Sequence, residues 1–335
     1  MSHPHSGAVD LIGDWRGDHL ENVHRGHAVI VGADGDIEQA WGDPSAVIFP
    51  RSACKMIQAL PLVESGAADS LGLTDRQLAL ACASHRGADM HVTAVRDWLG
   101  TLGLGEDDLI CGPHEPYDPD ARDALIRDGA QPCRLHNNCS GKHTGFLTLA
   151  GHLGAGRDYV DPAHPVQTAV RAATEELAQE TTPTFGIDGC SAPNFAVSVH
   201  GLARAGAFFA TAQTRSDTRS RAAARLALAM RTYPDMVNGD GGACTALMRA
   251  MNGHTTVKYG ADGVYLAILP DQRKAIAAKI ADGSPRAVES VMTTLLVRCG
   301  ALDPNHPTAR KLGAPDIVNA AGVTVGRVRP FETLT

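Results

Sequence analysis

The strand-like runs of this chain lie at its two ends, and the helical patterns lie between them. Residues 27–31 (HAVIV) and 36–41 (DIEQAW) are β-rich and joined by GADG, which predicts a hairpin. Residues 46–49 form a short third run. Strands return only late, at 255–258, 264–269 and 273–280, with a last one, GVTVGRV, at 322–328. Such a chain is expected to bring both ends into one antiparallel sheet, with the helical middle packed against it as a second lobe. We therefore read a single α+β domain over 1–335. Its sheet lobe takes about 1–50 and 254–335, its helical lobe about 51–253, and a site is expected between them.

The middle carries clear helix signals. MIQALPLVESGA, after residue 55, is apolar enough for a buried helix, with a kink or break at Pro61. Thr74 and Gln77 form a capping-box pattern, and the helix they open is expected to run into Ser84–Gly87, where glycine ends it. Met90–Leu102 places Val95, Trp98, Leu99 and Leu102 on one face. Further helices are expected at 144–153, 165–180, 217–231 and 285–297, and NGDGG at 238–242 breaks the pattern.

Charge and composition exclude several classes. The net charge is −7, with acidic and basic residues interspersed, so no basic face for nucleic acid or an anionic membrane is expected. No apolar run approaches membrane-spanning length. The first residues, MSHPHSGAVDLIGDW, lack the basic-then-apolar order of a signal peptide, and a cytoplasmic location is expected. The eight cysteines show no small-secreted-protein spacing.

Within this frame, FPRSACKMIQAL at 49–60 holds Ser52 and Lys55 where an extended run gives way to a helix. Residues three apart share a helical face. A lysine that has lost its proton can take one from such a serine and make it a nucleophile. Only six of the 30 Lys and Arg residues are lysines. Arginine stays protonated, whereas a desolvated lysine can act as a base. Lys55, Lys142 and Lys258 each sit beside Gly, Ser, Cys or His, unlike the other three. Ser84-His85-Arg86-Gly87 is a second serine site, for which a plain helix-end reading is favoured from the residues alone. HNNCSGKH compresses amides, a thiol, a lysine and imidazoles around one glycine, which is costly to bury without partners. DGCSAPN sets a thiol and a carboxylate around a turn. Cys139 and Cys190 are soft donors from distant segments and suit a zinc site, with two free buried thiols as the alternative.

RSACK, ASHRGADMH, HNNCSGKHTGFL, DGCSAPNFA and VKYGADGV, in that order, resemble the asparaginase II family of Rhizobium-type bacterial L-asparaginases. The family's fold is similar to serine β-lactamases and glutaminases. The resemblance implies Ser52 with Lys55 as one catalytic pair and Ser84 with Lys258 as a second. It implies zinc held by Cys139, Lys142 and Cys190, with water in the remaining position and Asp188 beside it. Arg51, His85 and Asp188 stand as substrate-binding candidates, and a homodimer is implied. One departure is Met56, where the family often has proline.

The expected function is hydrolysis of L-asparagine to L-aspartate and ammonia. Ser52 attacks, Lys55 accepts its proton, the second pair relays protons, and backbone N–H groups at the start of the Ser52 helix hold the oxyanion. Zinc would orient the substrate's charged ends. The alternatives are a zinc-hydroxide amidohydrolase, a non-catalytic β-lactamase-like module that binds an amino acid, and a substrate range relaxed to glutamine.

Overall fold

The amino-terminal sheet is larger than the residue pattern predicts. The computed structural model describes residues 6–335, so residues 1–5 of the expected sheet lobe lie outside the described residues. The chain opens on β1 (Val9–Arg16), which turns at Gly17 (φ +56°) into the long β2 (His19–Val31). Neither β1 nor the first half of β2 alternates apolar with polar residues: β1 buries the consecutive residues Leu11, Ile12, Gly13 and Asp14, and most side chains in the first half of β2 face solvent. The expected hairpin then follows, β2 pairing with β3 (Ile37–Trp41). β4 (Val47–Ile48) leaves this sheet.

Within the helical middle lie β5 (Phe185–Ile187), β6 (Pro193–Phe195) and β7 (Val197–Ser198); β5 pairs with β6, and β4 pairs with β7. The sheet resumes with β8 (Thr256–Gly260), β9 (Val264–Leu269), β10 (Lys274–Ile280), β11 (Asp316–Val318) and β12 (Thr324–Pro330). Its strand order is β11-β12-β1-β2-β10-β9-β8, with β3 beside β2, and every pair is antiparallel. Both ends of the chain thus build one sheet. The central register sets Ala28 opposite Ala278 and Ala277 opposite Leu266. β9 is buried at every position, so both faces there are covered. The helix Val199–Thr211 lies across β2, β9 and β10, and Pro285–Arg298 across β1, β9, β10 and β12.

In the helical middle the apolar segment after residue 54 forms two helices, Lys55–Gln58 and Leu60–Glu64. Pro61 has no N–H to continue the first one, which breaks the run at Ala59. Thr74 caps Asp75–Ala81 as expected: Gln77 N–H donates to Thr74 Oγ1 at 3.4 Å and Thr74 N–H donates to Gln77 Oε1 at 2.9 Å. That helix stops at Ala81, well short of Gly87. Ser84 is therefore in an extended loop, its N–H donating to Val237 O at 2.9 Å. The next difference matters more. The helix expected from Thr144 begins at Ser140, which puts Lys142 and His143 on its first turn.

Gly141 explains how this helix meets the Ser84 segment. A Cβ there would lie 2.4 Å from the backbone oxygen of Leu80 and 2.6 Å from its side chain. The helices Ser140–His152 and Asp75–Ala81 can approach this closely only without that atom. Gly141→Ala is expected to lower stability by about 1–3 kcal/mol, an overpacking cost. Chemical denaturation measures it. Among the described residues no helix is long and apolar enough to cross a membrane.

Candidate active site

Two lysine amines converge on one serine hydroxyl. Lys55 Nζ donates to Ser84 Oγ at 3.0 Å, and Lys258 Nζ lies 2.9 Å from the same oxygen. Lys55, the first residue of the helix Lys55–Gln58, and Lys258, in mid-β8, are both buried, as is Ser84. Lys55 Nζ also reaches Ala83 O at 2.5 Å and Asn138 O at 3.5 Å. Three acceptors match the three protons of an ammonium. Lys258 Nζ has one other acceptor, Tyr259 O at 2.8 Å, and stands 4.3 Å from the centre of the Tyr259 ring. Burial brings the Lys258 ammonium down to about 7; Cys244 opposes this and the charge of Lys55 adds to it. A neutral Lys258 amine fits its surroundings: it donates to Tyr259 O and accepts from the Ser84 hydroxyl, which accepts from Lys55.

Ser52 is placed differently from its expected partnership. It sits half-buried on the 3₁₀ turn Arg51–Cys54, three residues before Lys55, and its hydroxyl makes no hydrogen bond among the described residues. The structure thus groups Lys55, Ser84 and Lys258, with Ser52 beside them and unbonded. Ala53 N–H, an oxyanion candidate on this turn, already donates to Pro50 O at 3.1 Å. Gly260 lets β8 press against the turn, since a Cβ there would meet Pro50 O at 2.6 Å.

Arg51 and Asp188 do meet: Arg51 Nε donates to Asp188 Oδ1 at 2.7 Å. Burial acts to raise the Asp188 carboxyl, but Lys142 and Arg51 outweigh it and hold the group below the usual carboxylate range. Arg51 has φ +50°, a conformation that non-glycine residues rarely adopt and that clusters at functional sites. His85 is engaged within the fold. It is fully buried, its Nδ1 accepts from Gly87 N–H at 3.1 Å, and its Nε2 lies 2.9 Å from Ser140 Oγ. Burial lowers its imidazolium well below the usual value. Its ring stacks on His91 at 4.9 Å, and its bond to Ser140 ties the Ser84 loop to the helix that carries Lys142.

The expected metal ligands also come together. Lys142 Nζ lies 3.0 Å from Cys190 Sγ, and the Cys139 thiol hydrogen-bonds to Cys190. That bond is the main reason the Cys190 thiol is held well below its usual value, with Lys142 assisting against burial. Donating it, together with burial, pushes the Cys139 thiol up to about 12. Cys190 Sγ stands 3.7 Å from Asp188 Oδ2. Among the described residues no three His, Cys, Asp or Glu side chains gather around a point where a cation could sit. A metal here would need Lys142 as third donor, completing two sulfurs and one nitrogen, a soft set that suits zinc with an open fourth position. Without a metal, the Lys142 ammonium serves as the cation beside Cys190.

Two contributors escape a reading of the residues. Asn238, in the NGDGG break, donates from Nδ2 to Ser84 O at 3.0 Å and accepts Cys244 N–H at 3.2 Å, fixing the Ser84 backbone. Tyr259 supplies the carbonyl and the ring that flank Lys258. The only local signal was that NGDGG and VKYGADGV are glycine turns.

Residues 12–330 match the family model of L-asparaginase II. No curated protein matches the chain significantly. Solved structures to which the chain is similar include a putative beta-lactamase from Bacteroides dorei, 11% identical over 77% of this chain and 87% of that chain, with a TM-score of 0.43. Another is Mglu in its tris and glutamate form, 16% identical over 84% of this chain and 61% of that chain, with a TM-score of 0.47. A third is a beta-lactamase from Mycobacterium bovis, 12% identical over 82% of this chain and 94% of that chain, with a TM-score of 0.39.

Proposed function

The chain belongs to the L-asparaginase II family, and from that premise we propose that it hydrolyses L-asparagine to L-aspartate and ammonia through a serine acyl-enzyme. Family membership makes it an amidohydrolase. The observation that carries the finer reading is the convergence of Lys55 and Lys258 on Ser84 Oγ, with burial bringing Lys258 near neutrality.

The line Lys55 ammonium, Ser84 hydroxyl, Lys258 amine is a proton relay. Moving one proton along it leaves Lys55 neutral and Lys258 charged. Lys55 then takes the proton of Ser52 as Ser52 Oγ bonds to the side-chain amide carbon of asparagine. The proton held by Lys55 passes to the amide nitrogen, the C–N bond breaks, and ammonia leaves. Water attacks the resulting ester, giving its proton to Lys55. Ser52 Oγ recovers a proton as aspartate departs. Ser52 suits the attacking role because it is the half-buried, unbonded hydroxyl, whereas Ser84 is enclosed.

A second reading has a specific observation in its favour. Both amines bond Ser84 and neither bonds Ser52, so Ser84 is the hydroxyl already activated. A diazoketone analogue of asparagine decides between them by mapping which serine it alkylates. Ammonia release from asparagine tests the activity itself, and the same assay with glutamine tests the wider range.

The pH dependence follows from Lys258. Its neutral amine is the working form, and burial sets the transition at about 7. Below this pH Lys258 holds its proton and cannot draw one from Ser84. kcat/KM for asparagine is therefore expected to fall about tenfold per pH unit on the acid side of the transition and to level off above it. A flat profile from pH 5 to 8 contradicts this.

Zinc, if bound, would be held by Cys139, Lys142 and Cys190, and would supply a positive charge that orients the substrate's charged ends. Chelation is expected to raise KM by roughly tenfold, a usual size for a lost orienting contact, with kcat changed less than about threefold. Loss of all turnover would instead favour attack by metal-bound hydroxide. We also propose a homodimer, following the family resemblance. Eight free cysteines, none of them paired, accord with a reducing cytoplasm.

A further inference from the structure

Resting on the reading that the site handles a free amino-acid amide, we propose that Asp262 recognises the substrate's α-ammonium group. A cleft of about 550 Å³ is walled in part by Phe49, Arg51, Thr184, Asp262, Lys279 and Asp282, and Ser52 is the next residue along the chain from its Arg51 wall. That is room for an amino acid. Arg51 is pinned on its inner side by Asp188 and on its open side by Asp262. The two carboxylates differ in setting: the Asp188 side chain is 13% exposed and that of Asp262 is 68% exposed.

An ion pair as exposed as Arg51–Asp262 contributes little. Another carboxylate can replace Asp262 on the guanidinium at small cost. Arg51 Nη2 has no partner among the described residues, so the fork has donors left for a bidentate carboxylate. Asp262, once displaced, does not leave. Its turn is fixed from below: Lys279 Nζ donates to Asp262 O at 2.5 Å, and Ile280 N–H donates to Gly263 O at 2.8 Å. Only its side chain is free to swing. A carboxylate tethered beside an incoming α-carboxylate meets the cation that such a molecule carries, the α-ammonium. Arg51 and Asp262 thus form a pair matched in charge to a zwitterion, and in the free protein they neutralise each other.

The test compares two dicarboxylates that differ in that ammonium. L-aspartate carries it and succinate does not. Binding of each is measured by calorimetry to the wild-type protein and to Asp262→Asn. Asparagine tolerates the positive φ of +56° at this position, so the turn is kept. The wild type is expected to favour aspartate over succinate by roughly tenfold to a hundredfold, the worth of one charge-assisted hydrogen bond. Asp262→Asn should bind aspartate more weakly and succinate more tightly, removing the preference. Three results overturn the proposal: an undiminished preference in the variant, equal weakening of both ligands, or binding of neither ligand to the wild type. Equal weakening would reduce Asp262 to holding Arg51 in place. Ammonia release from asparagine is measured alongside and reports on the proposed reaction separately, since binding of the two acids requires no turnover.

Discussion

Lys258→Met is expected to lower kcat for asparagine by roughly 10²–10⁴-fold, the usual contribution of a positioned base, while the protein stays folded. Methionine keeps the length and flexibility of the lysine stem and carries no charge to bury. Lys258 is fully buried, and burial is what pushes its ammonium down to about 7. Removing the amine therefore removes a desolvation penalty as well as the base, and thermal stability should hold or rise. Lys258→Arg should be as inactive as the methionine variant, because arginine cannot become neutral at working pH. Either variant retaining more than about a tenth of wild-type turnover would take Lys258 out of the reaction, a loss far below the range for a base.

Ser52→Ala is the second large effect. With no oxygen to carry the acyl group, kcat should fall by at least about 10³-fold, the scale of losing a nucleophile. The fold should be unchanged, since the hydroxyl makes no hydrogen bond among the described residues. Ser84→Ala cuts the relay but spares the attacking atom, so its loss should be smaller, about 10²-fold on the lower scale for a proton-transfer group. It should also cost stability, because Lys55 and Lys258 would each lose an acceptor or donor in a buried place. If the order is reversed, with Ser84→Ala inert and Ser52→Ala active, Ser84 is the nucleophile.

Much of the frame was legible because it rests on periodicity and local chemistry. Strand patterns at the two ends meet in one sheet, and Thr74 caps its helix through the very residues the pattern marks. β1 was not legible, since Gly13 and Asp14 interrupt a strand whose partners on both sides are distant in sequence or solvent-facing. The start of the helix at Ser140 was hidden for another reason. Cys139 N–H is satisfied by Asn137 Oδ1 at 2.9 Å, and Gly141 is tolerated by close contact with Leu80, neither of which a propensity argument foresees.

The site divides in the same way. The residue types of the Ser–Lys groups can be read from spacing, but the partner of Lys55 cannot. Three-residue spacing places Ser52 on the same side of the turn, yet the amine turns toward Ala83 O, Ser84 Oγ and Asn138 O, where three acceptors outcompete one hydroxyl. His85, a substrate-binding candidate, stacks on His91 and bonds to Ser140 and Gly87, partners that no spacing in the sequence reveals.

The proposed mechanism requires one amine to be uncharged near neutral pH. With only six lysines in the chain, the ¹³Cε signals of selectively labelled lysine can be followed singly by NMR across a pH titration. One resonance should titrate at about 7 and vanish in Lys258→Met, and its midpoint should match the acid limb of kcat/KM. If all six lysines instead hold their protons above about pH 9, as ordinary lysines do, the relay has no acceptor and the mechanism fails.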